Sequence, residues 1–391
     1  MPRPIRAVIS LPAMSHNLSL IRQYLDNARQ EPVSTQSNAA AARLGATYIW
    51  AVIKANAYGH GLENGIRGFA QADGLAMLDL QETVRCREAG WRKPLLMLEG
   101  FFEERDLPVL QENKVLSTIH HPEQIRMLQS ATLATPLDVF LKINTGMNRL
   151  GFAPQQFAQA HQDLLTLQQQ GKVGRIGFMT HFADADGAQG AVDGPVQVFR
   201  ETVGNVQGPI SLCNSAAVLR YPQLAVSEAD NWVRPGICLY GSSPFANTTG
   251  DEFGLRQTMT LQARLLSVQH IKEGQSVGYG STYTATRDMR IGVVACGYAD
   301  GYPRSAPSGT PAWVNGVQTQ LAGRVSMDML TIDLDPVPDA VAGDWVTLWG
   351  EHGPHIDEVA ASAGTIAYEL LCALATRVPV HIEQPGESIE K

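Results

Sequence analysis

The sequence predicts an α/β fold: an N-terminal (β/α)8 TIM barrel followed by a mostly-β C-terminal domain. Three observations carry this expectation. Short apolar runs recur between residues 48 and 241 with helix-spaced segments between them. The chain, at 391 residues, is too long for one ordinary domain. After about Leu255 its texture changes to strand-like runs joined by turn residues.

The barrel strands are expected, in order, at YIWAVIKANA (48–57), GLAMLDL (74–80), PLLMLEG (94–100), VLSTIHH (115–121), LDVFLKIN (137–144), RIGFMTHFA (175–183), ISLCN (210–214) and WVRPGICLYG (232–241). Between them, sets such as Phe157, Leu164 and Leu165, or Val196, Phe199 and Val203, keep helical spacing. Eight strand–helix units in roughly 200 residues fit a closed barrel, although a doubly wound sheet shows the same alternation.

The second domain is expected from ARLLSVQHI, RIGVVACGY, TQLAGRVSMDMLTIDL and DWVTLWG. Val314-Asn315-Gly316-Val317 reads as a tight hairpin, because Asn-Gly tolerates the positive φ such turns require. The expected division is therefore residues 1–255 for the barrel and 256–391 for the β domain, with residues 1–13 forming a strand that joins the latter. The Ser/Gln/Ala-rich stretch 31–46 reads as a surface excursion. Gly59-His60-Gly61-Leu62-Glu63-Asn64-Gly65 imitates a dinucleotide fingerprint, but its last spacing is one residue too long, and a plain strand-to-helix turn fits better.

Composition narrows the function classes. Hydrophobic residues at 44% and charged residues at 17% are an ordinary globular mixture. A net charge of −8 argues against nucleic acid or an anionic membrane as the main partner. The 5 cysteines (Cys86, Cys213, Cys238, Cys296, Cys372) are scattered and never at C-x-x-C spacing. Neither a disulfide framework nor a metal site is expected, which fits a reduced, cytoplasmic protein. The N-terminal apolar run stops at Pro12, so no signal peptide is expected, and no apolar stretch is long enough to span a membrane.

Working groups of barrels stand at the C-terminal ends of the strands. Here those ends carry Lys54, Lys142, Arg149, His181, Asn214, Ser215 and Arg234. Cations converging on one rim call for an anionic ligand. A lysine within an apolar strand serves covalent capture of a carbonyl or pairing with an anion; taken alone, it fits a plain salt bridge or a snorkelling side chain better.

The words around these residues resemble the alanine racemase family. Ala51-Val-Ile-Lys-Ala-Asn-Ala-Tyr-Gly-His-Gly61 is similar to its pyridoxal-phosphate attachment motif. The likeness continues through LKINTGMNRLGF (141–152), MTHFADAD (179–186), CNSAA (213–217), VRPGICLYG (233–241), VGYGSTY (277–283), GYADGYPR (297–304), GRVSMDM (323–329) and YELLCALATRVP (368–379). The resemblance implies a pyridoxal 5'-phosphate-dependent racemase of alanine, a homodimer with shared active sites that supplies or consumes D-alanine for the bacterial cell wall. It makes Lys54 the cofactor lysine and one base, and Tyr279 the base on the opposite face, as inversion at Cα requires.

By the same resemblance Arg234 faces the pyridine nitrogen, and His181 links Arg234 to Tyr279 through hydrogen bonds. Tyr58, Asn214, Ser215, Gly236, Ile237 and Tyr368 hold the cofactor, chiefly its phosphate. Arg149 meets the substrate carboxylate or the cofactor hydroxyl. Tyr298, Met327 (through its backbone N–H) and Asp328 stand on the substrate side, and Asp186, Arg304 and Ile366 line the entrance corridor. Lys142 matches a position carbamylated in many alanine racemases. Strand alternation puts it on the face of Phe140 and Asn144, near Arg149 and Arg234, where a carbamate would replace like-charge repulsion by charge-assisted hydrogen bonds.

Two departures from the family concern local structure: the 31–46 stretch is longer than usual, and Asn144 stands where aspartate is common. Three rivals remain. A related pyridoxal-phosphate decarboxylase would show a Gly-Gly-Gly phosphate loop. A racemase of broader specificity would act on serine or basic amino acids. A non-enzymatic cofactor carrier would leave the whole β domain unexplained.

Overall fold

The computed structural model of the protein describes residues 3–30 and 44–383. Most of the 31–46 excursion and the last eight residues lie outside them. The eight apolar runs form eight parallel strands: β2 (Thr47–Val52), β3 (Gly74–Met77), β4 (Leu95–Met97), β5 (Val115–Ile119), β6 (Leu137–Lys142), β7 (Val173–Met179), β8 (Ile210–Ser211) and β9 (Asn231–Val233). They close into a barrel, with β9 pairing back onto β2 at Thr47↔Asn231 and Ile49↔Val233. The doubly wound alternative is thereby excluded. Strands covered on both faces need continuous apolar runs, and β3 and β4 are buried throughout. At the closing seam Trp232 stacks between Tyr48 (4.6 Å) and Trp50 (4.1 Å). Gly74 lies against Trp50, where a Cβ would come within 2.1 Å of the indole.

Ahead of the barrel lie β1 (Ile5–Ile9) and the helix α1 (Leu11–Gln30). The strand expected over residues 1–13 is thus shorter. Pro12 sits in the first turn of α1, where a missing N–H leaves no bond unmade. Met14, Leu18, Ile21 and Leu25 bury one stripe of α1 against the barrel, at the spacing an amphipathic helix requires.

The second domain contains β10 (Met259–Ile271), β11 (Ser276–Val277), β12 (Tyr283–Thr284), β13 (Met289–Val294), β14 (Pro311–Val314), β15 (Val317–Gln320), β16 (Leu330–Asp333), β17 (Trp345–Trp349) and β18 (Val380–Ile382). Its main sheet runs β15-β14-β17-β10-β1-β18, with β13 on β10 and β16 on β13. β1 pairs antiparallel with β10 and parallel with β18. The expected hairpin joins β14 to β15, with Asn315 and Gly316 both at positive φ (51° and 78°). No helix of the described residues is long and apolar enough to cross a membrane.

The segment after β2 has an uncommon backbone. Ala55, Asn56, Ala57 and Tyr58 all take positive φ (55°, 54°, 51° and 51°), a left-handed turn built without glycine. Each such residue costs roughly 1–2 kcal/mol. The turn is braced by the Asn56 N–H on Glu82 (3.1 Å), the Leu62 N–H on the Asn56 side-chain oxygen (2.9 Å), and the fully buried His60. His60 Nδ1 stands 2.9 Å from the Tyr58 carbonyl and Nε2 is hydrogen-bonded to the Thr258 hydroxyl (2.8 Å), beside β10. The Gly59-His60-Gly61 segment is thus a structural turn.

Burial lowers the His60 pKa from 6.5 to about 4. Between those pH values the unfolded chain binds a proton that the folded chain refuses, so stability falls as pH drops, by up to about 3 kcal/mol from this group. A His60→Gln variant should be less stable than the parent at pH 7, with the gap narrowing by about that amount at pH 4. Urea unfolding of both proteins across this range is the measurement; a gap independent of pH would refute the assignment.

Candidate active site

Lys54 begins the left-handed turn, immediately beyond β2, and points into a cavity of about 420 Å³ at the C-terminal ends of the barrel strands. Of the residues singled out from the sequence, Lys54, Tyr58, Lys142, Arg149, His181, Asp186, Asn214, Ser215, Arg234, Gly236, Ile237, Ile366 and Tyr368 all line it. Ile366 and Tyr368 come from the second domain and close one side. Within this one chain Tyr279, Tyr298, Arg304, Met327 and Asp328 do not line the cavity. They belong to the second domain, and Tyr279 is 75% and Met327 54% exposed. Asp328 is held by Arg377 at 2.7 Å.

Lys142 is the last residue of β6 and is buried. The chain beyond it loops out and returns, the Asn144 N–H reaching the Phe152 carbonyl (2.9 Å) and the Phe152 N–H the Lys142 carbonyl (2.9 Å). Arg149 rides on this loop. Asn144 organises it: its side-chain oxygen accepts from the N–H groups of Gly146 (3.1 Å) and Asn148 (3.0 Å), and its NH2 donates to the Asn148 side chain (3.0 Å). The departure noted at this position is therefore a turn residue.

The opposite wall comes from β8 and β9. Arg234, buried, donates to the Thr180 carbonyl (2.6 Å), the Leu212 carbonyl (3.3 Å) and the Ser211 hydroxyl. No hydrogen bond joins Arg234 to His181 among the described residues. Asn214 caps the helix Ser215–Arg220 by accepting the Ala217 N–H (3.0 Å). The Ser215 hydroxyl accepts the Gly236 N–H (2.8 Å). A Cβ on Gly236 would lie 2.4 Å from the Tyr58 hydroxyl, so only glycine fits there.

The cavity is a concentration of positive charge. Burial, then Arg149, lowers the Lys54 pKa. Burial, then Arg234 and Arg149, brings Lys142 down to about 8. Burial, then the surrounding cations headed by Arg234, brings His181 down to about 2, which keeps its imidazole neutral. Arg234 itself falls to about 10 through burial, still high enough to stay charged near neutral pH. No carboxylate lies within 4 Å of Lys54, Lys142, Arg149 or Arg234 among the described residues. The sequence reading missed Glu99, which also lines the cavity; it stands at the end of β4, where the rule that found the other residues applies equally.

A closed barrel with lysines and arginines gathered at its strand ends, followed by a β domain that supplies one wall, defines a two-domain barrel enzyme with a cationic cavity of small-ligand size. The comparisons with known proteins make this specific, and the chain belongs to the alanine racemase family. The family model described as alanine racemase, N-terminal domain, matches residues 9–244, and that described as alanine racemase, C-terminal domain, matches residues 258–382. An alanine racemase of Bordetella petrii is 56% identical over 383 residues, covering 97% of this chain and 99% of that protein. The crystal structure of the biosynthetic alanine racemase from Pseudomonas aeruginosa superposes with a TM-score of 0.86 at 39% identity, covering 98% of this chain and 100% of that one. The alanine racemase of Acinetobacter baumannii gives 0.84 at 35% identity, with 98% and 100% covered.

The Asn144 turn makes a prediction about stability. Asn144→Ala strips three hydrogen bonds from the Arg149 loop and should cost about 1–3 kcal/mol. Asn144→Asp keeps both accepting contacts, and the Asn148 amide can turn its NH2 towards the new carboxylate, so the loss should stay within about 0.5 kcal/mol. Equilibrium urea unfolding separates the two variants.

Proposed function

We propose that the protein interconverts L-alanine and D-alanine with pyridoxal 5'-phosphate, Lys54 and Tyr279 acting as bases on opposite faces of Cα, and that it supplies or consumes D-alanine for the bacterial cell wall. The observation that carries this reading is the convergence of Lys54, Tyr58, Ser215, Arg234 and Gly236 on one cavity, in a chain whose family is that of the alanine racemases.

The residues fit the cofactor. Hydroxyls of Tyr58, Ser215 and Tyr368 with the backbone at Gly236 and Ile237 form a phosphate cradle that a Cβ at Gly236 would fill. Arg234 brings a buried guanidinium whose protein partners are all uncharged oxygens. The volume of about 420 Å³ lies in the range of small-ligand pockets. When bound, pyridoxal phosphate supplies an electron sink for the carbanion at the substrate Cα.

Lys54, its pKa lowered by burial and then Arg149, gives up its proton more readily than a free lysine and stands where it can take a proton from Cα and return it. Arg234 does not give up its proton near neutral pH, so an atom it faces remains an acceptor; this weakens the electron sink and favours prompt return of the proton to Cα. Arg149, on its braced loop, meets the substrate carboxylate. Tyr279 is too exposed to serve its own cavity, so it works in that of a partner subunit, in a two-fold homodimer where Tyr298, Met327 and Asp328 accompany it on the substrate side. Asp186, Ile366 and Arg304 form the approach. Lys142 is read as carbamylated: its pKa of about 8 leaves a fraction of neutral amine, and the resulting anion would bind Arg149.

Borohydride reduction of the purified holoenzyme should fix a pyridoxyl group on Lys54. Peptide mapping that found the label on Lys142 or Lys172 would overturn the attachment. Mixing inactive Lys54→Ala and Tyr279→Ala proteins should restore activity, because each mixed dimer then holds one intact and one doubly damaged site. Verified subunit exchange without recovered activity would place both bases in one chain.

A further inference from the structure

Glu99 and Asp186 are the carboxylates lining a cavity otherwise rich in cations, and Glu99 is the one whose charge acts on Lys142. Its backbone is pinned: the carbonyl accepts from His120 Nε2 (2.9 Å) and Gln124 Nε2 (3.2 Å), both just beyond β5. The next residue, Gly100, has φ 75°, and a Cβ there would lie 2.2 Å from the Thr118 carbonyl, so the chain can turn away only because this position is glycine. That turn leaves the Glu99 side chain lining the cavity with Lys142, Lys54, Arg149 and Arg234. It makes no hydrogen bond or ion pair with another side chain among the described residues, so no surface partner draws it out of the cavity.

We propose that Glu99 is a positioning residue of charge: its carboxylate favours the ammonium form of Lys142 and thereby sets the carbon dioxide level at which that lysine is carbamylated. The second half rests on the carbamate reading given above. Carbamylation joins the Nζ of the neutral amine to the carbon of carbon dioxide, moves one C=O electron pair onto oxygen, and releases one proton to water. Each side of that equilibrium feels Glu99 in the same sense. A nearby carboxylate attracts the ammonium that must first lose its proton, and it repels the carbamate anion that forms.

The groups facing Lys142 divide cleanly by effect. Burial, Arg234, Arg149 and Lys54 all push it towards the neutral amine, and Glu99 opposes them. His181 and His120 also feel Lys142, but burial lowers both, and His181 stays neutral. Glu99 is thus the acidic group with a resolved influence on whether this lysine carries a proton or carbon dioxide. Its position makes the anchoring of Arg149 responsive to dissolved carbon dioxide rather than permanently saturated.

The test compares holoenzyme carrying Glu99→Gln and Glu99→Asp with the parent protein, using Lys142→Ala as the blank. Titration with ¹³C-bicarbonate reads the carbamate resonance. Titration of ¹³C-labelled lysine in carbon-dioxide-free buffer reads the proton. Glu99→Gln should lower both the half-saturating carbon dioxide and the Lys142 titration midpoint, by about tenfold and about one pH unit respectively. Glu99→Asp, which keeps the charge, should move both far less, a distinction that a merely structural role would not produce. Unchanged midpoints in Glu99→Gln overturn the inference. A shifted proton midpoint with no carbamate in any protein overturns the carbon dioxide half together with the reading beneath it. A carbamate with equal half-saturation in both proteins overturns the role of Glu99 alone.

Discussion

The arrangement of this site depends on a backbone constraint. Four consecutive residues without glycine hold the left-handed conformation directly after Lys54, a geometry an isolated peptide would abandon. It persists because the surroundings determine it several times over: Glu82 from the helix Leu80–Glu88, the Asn56 side chain from within, and buried His60 tied to Thr258. The turn leaves the lysine at the strand end and brings Tyr58 back under Gly236. The strained turn, Lys54 and the contact of Tyr58 with Gly236 are therefore one structural unit.

The second organising fact is charge. A barrel mouth holding two lysines and two arginines, with no carboxylate within ion-pair distance of them among the described residues, concentrates like charge at a cost in stability. Burial depresses both lysines, while Arg234, lowered to about 10, keeps its proton near neutral pH.

Much of this was legible in the chain. The barrel strands were visible because strands buried on both faces cannot alternate polar and apolar residues, and the hairpin was visible because Asn-Gly has few other uses. The strand-end rule located Lys54, Lys142 and Arg234 together. The same rule points to Glu99, which a run of apolar residues, Leu95 to Leu98, leads into the cavity. The left-handed turn was illegible, since Ala-Asn-Ala-Tyr carries no glycine, and only tertiary bracing dictates its backbone. Equally hidden were the partners of Arg234, because Ser211, Thr180 and Leu212 supply oxygens that no side-chain motif records. Tyr279 could be tied to the cavity only by resemblance, as spacing along a chain says nothing about which cavity an exposed residue faces.

The position of β1 has a further consequence. It is the first strand made, yet its neighbours are β10 and β18, so the barrel is an insertion between two adjacent strands of the other domain's sheet. During synthesis the barrel can collapse as soon as β9 emerges, whereas β1 must wait for residues 259–263 and then for 380–382. The order of events on the ribosome is therefore nested: the inner domain forms first, and the outer sheet, with the last wall of the cavity, is finished only when the chain is nearly complete. A truncation near the C-terminus would thus leave β1, more than 350 residues away in sequence, with one edge unpaired.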